Sequence, residues 1–203
     1  MWLNQTPQLL LASASPRRVE LLQQIQIPTQ QVIVPSPDGE DEPRQAGESV
    51  VSYVTRTTED KLTRALGFIQ NHSDLQQLPI LTADTTVALE QTILGKPTDV
   101  EDAVRMLSLL SGRRHDVYTA VSLHYEQMTY RALSHTIVTF DTLKPTQINQ
   151  YVASKEPFGK AGAYAIQGLS AQFIKKIEGS YSTVMGLPLF ELSQLLRQAA
   201  LIS

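Results

Sequence analysis

The chain alternates short apolar runs with segments whose apolar residues recur every three or four positions. The leucine run at 9–11 predicts a short buried strand, and the apolar positions within 19–25 follow helical spacing. Between them, Ser15 suits a helix N-cap, and Pro16 suits the first helical position because its missing N–H would have no partner there. The pattern therefore predicts a strand, a tight turn and a helix at the start of the chain.

Four later segments show the same helical recurrence of apolar residues. Thr98 or Asp99 can cap one of them, and Pro145 lies at the start of another. The predicted helices are 49–65, 99–110, 144–152 and 189–201.

Other segments are rich in β-branched and aromatic residues or in short apolar runs, which indicates strands. The predicted strand segments are 79–81, 85–89 after an interruption at Asp84, 115–143 and 172–179. The long segment predicts two or three strands joined by a short turn near Glu126 and Gln127. This order of elements predicts an α/β fold class, in which helices cover a central sheet.

The composition is that of an ordinary soluble globular protein, with 42% hydrophobic and 18% charged residues. At 203 residues the chain can form one sizeable core, or two small lobes that share a cleft. A net charge of -3 gives no reason to expect a nucleic-acid or membrane partner bound by bulk charge. The sequence has no cysteine, no membrane-span pattern and no secretory signal pattern, so we expect a cytoplasmic protein without disulfides.

Two adjacent arginines, Arg17 and Arg18, open the first predicted helix. A helix N-terminus already carries partial positive charge, so two further cations there indicate an anionic partner. A phosphate group would accept hydrogen bonds from the turn amides, the serine hydroxyls and the guanidinium groups. The alternative is that both arginines are solvated surface residues.

Asp84 lies within an otherwise apolar segment, where a carboxylate must be paired, hydrogen-bonded or bound to a cation. It is either a structural residue that accepts hydrogen bonds from Thr85 and Thr86, or a Mg²⁺ ligand or a base for water. Mg²⁺ favours one or two carboxylates together with substrate phosphate oxygens. The Pro-, Gly- and acid-rich segment 34–48 reads as an exposed loop and would supply a second acid. Its candidates are Asp38, Glu40, Asp41 and Glu42.

Three lysines, Lys61, Lys96 and Lys160, could join the arginines in neutralising a triphosphate, although any one lysine is most often solvated. The segment GKAGAY that contains Lys160 lacks the spacing of a Walker A motif. The four histidines show no metal-ligand spacing, and His115 reads as a hydrogen-bonded structural residue.

Six ordered blocks, SASPRRVELL, ADTTV, LGKPTD, SGRRHDVYTAV, EPFGKAGAYAIQG and GSYSTVMGLPL, resemble the Maf-like nucleotide pyrophosphatases over nearly the entire chain. The resemblance implies a single Maf-like domain over 1–203, with a fold like that of the house-cleaning inosine triphosphatases and a nucleotide cleft between two lobes. It also implies Mg²⁺- or Mn²⁺-dependent hydrolysis of nucleoside triphosphates to the monophosphate and diphosphate.

The resemblance also assigns roles to residues. It implies that Ser13, Arg17 and Arg18 bind phosphate and that Lys61 and Lys96 complete a catalytic cationic wall. Asp84 would activate water as a proton acceptor, share a metal ion, or do both. Asp38 falls where the family has a metal-site acid, and Glu40 is its rival because the local alignment is loose.

Specificity follows from two further positions. Thr85 after the catalytic Asp and Gln167 in the later block resemble the subgroup that acts on dTTP and UTP. A glutamine amide offers a donor and an acceptor to the edge that uracil and thymine share. The chain departs from the family after Arg56, where Thr57 and Thr58 replace the usual Leu-Ala.

Two rival functions stay open at this point. One is a pyrophosphatase for another nucleotide, such as a modified pyrimidine triphosphate or 7-methyl-GTP. The other is a nucleotide-binding regulator, for example one that restrains septum formation, a role attached to this family. Trp2, Leu201 and Ile202 are apolar positions near the chain ends, and their exposure would be compatible with a homodimer.

Overall fold

The computed structural model of the protein describes residues 8–35, 42–72, 74–75 and 77–203. Strands and helices are interspersed through these residues, and the short segments 29–32, 92–94 and 181–185 were not among the predicted elements. The strands are β1 (Leu9–Ala12), β2 (Thr29–Val32), β3 (Ile80–Leu89), β4 (Thr92–Leu94), β5 (Arg114–Tyr125), β6 (Met128–Phe140) and β7 (Ile174–Glu178). The helices are α1 (Pro16–Gln24), α2 (Val50–Ile69), α3 (Val100–Leu110), α4 (Pro145–Ala153), α5 (Tyr181–Met185) and α6 (Leu189–Gln198).

The strands form one mixed sheet in the order β2-β1-β3-β5-β6-β7, with β4 paired to β3. Strand β1 is parallel to both β2 and β3, whereas the β3–β4 and β6–β7 pairs are antiparallel. The register pairs Leu10 with Ile80 and Leu11 with Leu81. The two strands run in the same direction, and β3 is longer than β1. The turn that follows β1 therefore lies next to the middle of β3. The expected α/β fold class with a central mixed sheet is confirmed.

The chain divides into two compact units. Unit 1 comprises the described residues of Met1–Asp84, Thr119–Ser134 and Gly186–Ser203. Unit 2 comprises Thr85–Tyr118 and His135–Met185.

Each unit has its own apolar cluster. In unit 1, the inner face of α2 packs Leu62, Ala65 and Ile69 against Leu10 and Ile80 of the sheet. In unit 2, the buried residues of α3 and α4 pack with those of the sheet strands around Phe140. Burial of such side chains stabilises a fold by roughly 1.5–3 kcal/mol each, so these clusters fix the elements that carry the polar groups described below.

Several local predictions are confirmed at residue level. Asp99, one of the two predicted caps of α3, accepts a hydrogen bond from the Asp102 N–H. Ser49, which was not predicted as a cap, caps α2 in the same way through the Ser52 N–H. Glu126 and Gln127 connect β5 to β6 with φ values of 47° and 66°, the left-handed backbone of a tight hairpin.

Other predictions are wrong. Strand β3 runs without interruption from Ile80 to Leu89, so Asp84 is a strand residue rather than a break between two strands. The last helix ends at Gln198, not at residue 201. Leu201 is buried, so it is not an exposed apolar position, and Trp2 lies outside the described residues.

Among the described residues, no helix combines the length and apolar character needed to span a membrane.

Candidate active site

Asp84 is the buried centre of a polar cluster in unit 1. Its residue surface is 5% exposed, and both carboxylate oxygens have partners. The Lys61 ammonium donates to Oδ1 at 2.5 Å, and the Thr57 hydroxyl donates to Oδ2 at 2.8 Å. Thr57 and Lys61 are one turn apart on α2, so the same helix face presents both groups to the strand.

The environment of Asp84 favours its ionised form. Burial alone would raise the pKa of the carboxyl group, but the positive charge and hydrogen bond of Lys61, the charge of Arg18 and the Thr57 hydrogen bond outweigh it. The pKa of Asp84 is therefore lowered, and the group is an anion at neutral pH.

A second carboxylate meets the same ammonium. Glu42 forms an ion pair with Lys61, so the ammonium lies between the carboxylates of Glu42 and Asp84. Glu42 Oε1 is buried and accepts no hydrogen bond of good geometry. Two carboxylates that converge on one cation form a donor set of the kind that Mg²⁺ takes together with substrate phosphate.

The segment that carries Glu42 is tied to α2. The Tyr53 hydroxyl donates to the Glu42 carbonyl oxygen at 3.0 Å, and Arg56 donates to the Pro43 carbonyl oxygen at 2.9 Å. Arg56 also binds Glu48 through two hydrogen bonds, of 2.7 and 2.9 Å. The Arg56 hydrogen bond lowers the pKa of Glu48 to about 2, so this clamp is ionised over the physiological range.

The turn after β1 contributes hydroxyl and guanidinium groups. Ser13 Oγ accepts from Arg18 Nη1 at 3.1 Å and from the Ser15 N–H at 3.2 Å. Arg18 Nε donates to the Gly186 carbonyl oxygen at 2.7 Å. Ser15 occupies the N-cap position of α1, but its side chain makes no capping hydrogen bond, so that part of the prediction is wrong.

Both arginines of the turn are half-buried. Burial lowers the pKa of Arg18, Asp84 opposes that effect, and the neighbouring Arg17 adds to it. A guanidinium stays protonated under any of these influences, so the turn adds two positive charges beside the ionised Asp84.

In unit 2, the loop that holds Lys96 is fixed through its backbone. The Gly162 N–H donates to the Gly95 carbonyl oxygen at 3.0 Å. Gly162 has a φ of 69°, and a Cβ there would lie 2.8 Å from Val87 Cγ1, so only glycine allows this approach. Lys96 itself is exposed.

Gln167 is also exposed, and the loop beneath it is held at three points. The Ser170 hydroxyl donates to the Ala165 carbonyl oxygen at 2.6 Å and accepts from the Ala165 N–H at 3.2 Å. Glu156 accepts hydrogen bonds from the Leu169 N–H and from the Tyr151 hydroxyl, both at 2.9 Å.

The remaining predicted positions have different outcomes. Thr85 follows Asp84 in β3 and is half-buried. Asp38 and Glu40 lie outside the described residues, so their metal roles stay predictions. His115 is 1% exposed, hydrogen-bonds the Tyr164 hydroxyl at 2.9 Å, and matches the structural interpretation. Lys160 donates to the Glu156 carbonyl oxygen at 2.5 Å.

Two contacts of the cluster were not predicted from the sequence. Glu42 was one of four loop acids without a distinguishing signal, and Thr57 was noted only as a departure from the family pattern. Over the described residues, no group of three or more His, Asp or Glu side chains is arranged to hold a metal ion.

Comparison with known proteins places the chain in a family. A sequence model described as "Maf-like protein" matches residues 8–199, and the chain belongs to this family. It is 50% identical over 199 residues to a Bordetella avium protein named dTTP/UTP pyrophosphatase, covering 98% of both chains. It is also 50% identical over 189 residues to a Xanthomonas campestris protein of the same name, covering 93% of this chain and 96% of that one.

Among solved structures, the Ham1 protein of Staphylococcus aureus matches with a TM-score of 0.47 and 12% identity. The match covers 96% of this chain and 100% of that chain.

Proposed function

We propose that this protein is a nucleoside triphosphate pyrophosphatase that hydrolyses dTTP and UTP to the monophosphate and diphosphate. The observation that carries the proposal is the buried, ionised Asp84, held by Lys61 next to the arginine turn, in a chain half identical to relatives named dTTP/UTP pyrophosphatase. A buried acid close to cations and a helix N-terminus suits the hydrolysis of a phosphate anhydride. The cations and the helix N-terminus can bind the phosphate groups, and the acid can activate water.

The triphosphate is bound by the cationic groups. Arg17 and Arg18 can each grip phosphate oxygens with parallel N–H bonds, and Ser13 adds a hydroxyl donor. Lys61 supplies a point charge. These groups of unit 1 stabilise the negative charge that builds on the phosphoryl oxygens when the anhydride bond breaks, and the family resemblance gives the same role to Lys96.

A divalent cation, Mg²⁺ or Mn²⁺, fits the carboxylates of Glu42 and Asp84. The fit rests on the convergence of both carboxylates on one positive charge, the Lys61 ammonium. When bound, such an ion would supply positive charge to the phosphate oxygens and make water more acidic. Asp38 or Glu40 would add a further carboxylate.

In the reaction, a water oxygen forms a bond to one of the two phosphorus atoms that flank the α–β bridging oxygen. The bond between that phosphorus and the bridging oxygen breaks. Asp84 orients the water and accepts its proton. Because Lys61 lowers the pKa of Asp84, the carboxylate is always available but binds the proton weakly. It therefore acts as the water–phosphorus bond forms, when the water proton is most acidic.

Base selection is assigned to Thr85 and Gln167. The exposed Gln167 amide is carried by a loop fixed at Ser170 and Glu156, so the amide can be presented in a repeatable orientation. Its donor and acceptor complement the N3–H and O4 of thymine and uracil.

Product analysis tests this function. The purified protein is incubated with Mg²⁺ and dTTP, UTP, CTP, GTP or 7-methyl-GTP, and diphosphate is separated from phosphate. We expect equal amounts of monophosphate and diphosphate, from dTTP and UTP above all others, and none in the presence of a chelator. Preference for 7-methyl-GTP would overturn the assignment of Thr85 and Gln167. Absence of turnover on every nucleotide would favour a binding regulator.

A further inference from the structure

Thr57 places a hydroxyl against Asp84 at a position where the family pattern has leucine. The residue is 1% exposed, and its hydroxyl lies 2.8 Å from Asp84 Oδ2. Leucine would bring no hydrogen-bond donor to this carboxylate. The contact therefore depends on threonine at this position.

The contact restricts the orientation of the carboxylate. Lys61 holds Oδ1 through a long, flexible side chain, which alone leaves Asp84 free to rotate about its terminal bond. Thr57 is β-branched, buried and part of a helix, so its hydroxyl has few accessible positions. The two donors together fix both oxygens.

The hydroxyl also has a second acceptor. The Val54 carbonyl oxygen lies 3.1 Å away, one turn earlier in α2. A hydroxyl has one proton, and the ionised carboxylate is the stronger acceptor, so the proton points to Asp84 in the free protein. When Asp84 engages another group, the proton can turn to Val54, and no buried donor is left without a partner.

We propose that Thr57 is a positioning residue, whose hydroxyl sets the orientation of the Asp84 carboxylate for hydrolysis and keeps a hydrogen-bond partner in the Val54 carbonyl oxygen when Asp84 engages another group. The inference rests on the proposed function, because it assumes that Asp84 acts on the substrate.

The neighbouring Thr58 provides a matched control. It is also 1% exposed on α2, and its hydroxyl donates to the Val54 carbonyl oxygen at 2.7 Å. Its second acceptor, at 3.5 Å, is the Ala120 carbonyl oxygen, not the carboxylate. Thr57→Val and Thr58→Val thus make the same change in volume and polarity, but only the first removes a hydrogen bond to Asp84.

The experiment measures kcat and KM for dTTP in wild type, Thr57→Val, Thr57→Ser, Thr58→Val and Asp84→Asn. We expect Thr57→Val to lower kcat about tenfold, the value of one hydrogen bond to a charged group, with KM changed less than about twofold. Thr57→Ser should stay within about threefold of wild type, and Thr58→Val within about twofold. Equal kcat values for Thr57→Val and Thr58→Val, or a loss confined to KM, would overturn the inference.

A second measurement separates this inference from the proposed function. Urea unfolding of wild type, Thr57→Val, Asp84→Asn and the double variant gives the coupling between the two residues whether or not the protein hydrolyses dTTP. Each variant changes the equilibrium constant of unfolding by some factor. We expect the factor of the double variant to differ at least about threefold from the product of the two single-variant factors. If the wild-type protein fails to release diphosphate, the proposed function fails. A coupling factor of one would show that Thr57 and Asp84 do not interact, and would overturn this inference independently. Thr57→Ala replaces Thr57→Val in both measurements if the valine variant does not fold.

Discussion

The two units place their candidate functional groups by different physical means. In unit 1, the side chains around Asp84 contact one another, and the cluster is held by charge and by hydrogen bonds to a buried carboxylate. In unit 2, Lys96 and Gln167 are exposed, and the contacts beneath them fix their loops: the Gly162 N–H donates to the Gly95 carbonyl oxygen, and the Leu169 N–H donates to the Glu156 carboxylate.

This difference predicts different consequences of substitution. Changing one charge in unit 1 alters the electrostatics of every other member, because the groups share partners at short range. Changing a support in unit 2 moves a recognition group without altering its chemistry. We therefore expect variants around Asp84 to affect kcat and variants of the loop under Gln167 to affect KM and selectivity.

The largest expected effect is that of Lys61→Met. The substitution leaves the carboxylates of Glu42 and Asp84 without their shared cation. It also removes a positive charge that would stabilise the bound triphosphate. We expect kcat/KM for dTTP to fall about a hundredfold or more. Lys176→Met, at an exposed lysine of β7 that lies 3.3 Å from Glu178, is the matched control. If Lys61→Met kept at least a third of wild-type activity, the charged cluster would not be the reaction centre.

A second prediction concerns the stability of the protein at acidic pH and the buried His115 of unit 2. Burial lowers the pKa of His115 from 6.5 to about 4. The unfolded chain therefore binds a proton at His115 over a pH range in which the folded protein does not. Above pH 6.5, His115 does not lower the free energy of unfolding. As the pH falls towards 4, protonation of His115 in the unfolded chain lowers that free energy by up to about 3 kcal/mol.

Urea unfolding at pH 7 and pH 4.5 tests this prediction. His115→Phe keeps an aromatic ring next to Phe140 and Tyr164 but cannot be protonated. We expect the variant to lose about 2 kcal/mol less than wild type between the two pH values. Equal losses would mean that His115 is not held in its neutral form.

The smallest expected effect is that of Gly168→Ala. A Cβ at Gly168 would lie 2.2 Å from Glu156 Oε1, so the carboxylate must leave the Leu169 N–H and the loop under Gln167 loosens. We expect KM for dTTP to rise about tenfold, with a smaller change in kcat. Gly67→Ala is the control, because a Cβ there meets nothing within 4 Å, and alanine favours the helix by up to about 1 kcal/mol. A loss confined to kcat would contradict the proposed role of this loop.

The sequence predicted what depends on local pattern. Helical spacing located α2 and α3, and Asp99 located the start of α3, because a buried helix face and an N-cap are both encoded within a few residues. The same reasoning was wrong about Asp84, since a polar residue in a strand looks like a break unless its distant partner is known.

The partners of Asp84 required the fold. Thr57 and Lys61 are one turn apart, so a shared helix face was predictable, but the strand that this face meets depends on the pairing of β1 with β3. Glu42 was indistinguishable from its acidic neighbours, because nothing local indicates which side chain of a loop turns towards Lys61. The family resemblance assigned roles to Asp84 and Lys61, and the structure shows that the two side chains are in contact.

The most direct test compares selectivity and turnover in one experiment. We would measure kcat/KM on dTTP and CTP for wild type, Asp84→Asn, Gln167→Ala and the control Asp116→Asn, whose carboxylate contacts His135 in unit 2. We expect Asp84→Asn to lower turnover of dTTP about a thousandfold or more. Gln167→Ala should chiefly reduce the preference for dTTP over CTP, and Asp116→Asn should resemble wild type. Near-wild-type turnover by Asp84→Asn, or an equal loss on both nucleotides in Gln167→Ala, would contradict the assignment of chemistry to unit 1 and recognition to unit 2.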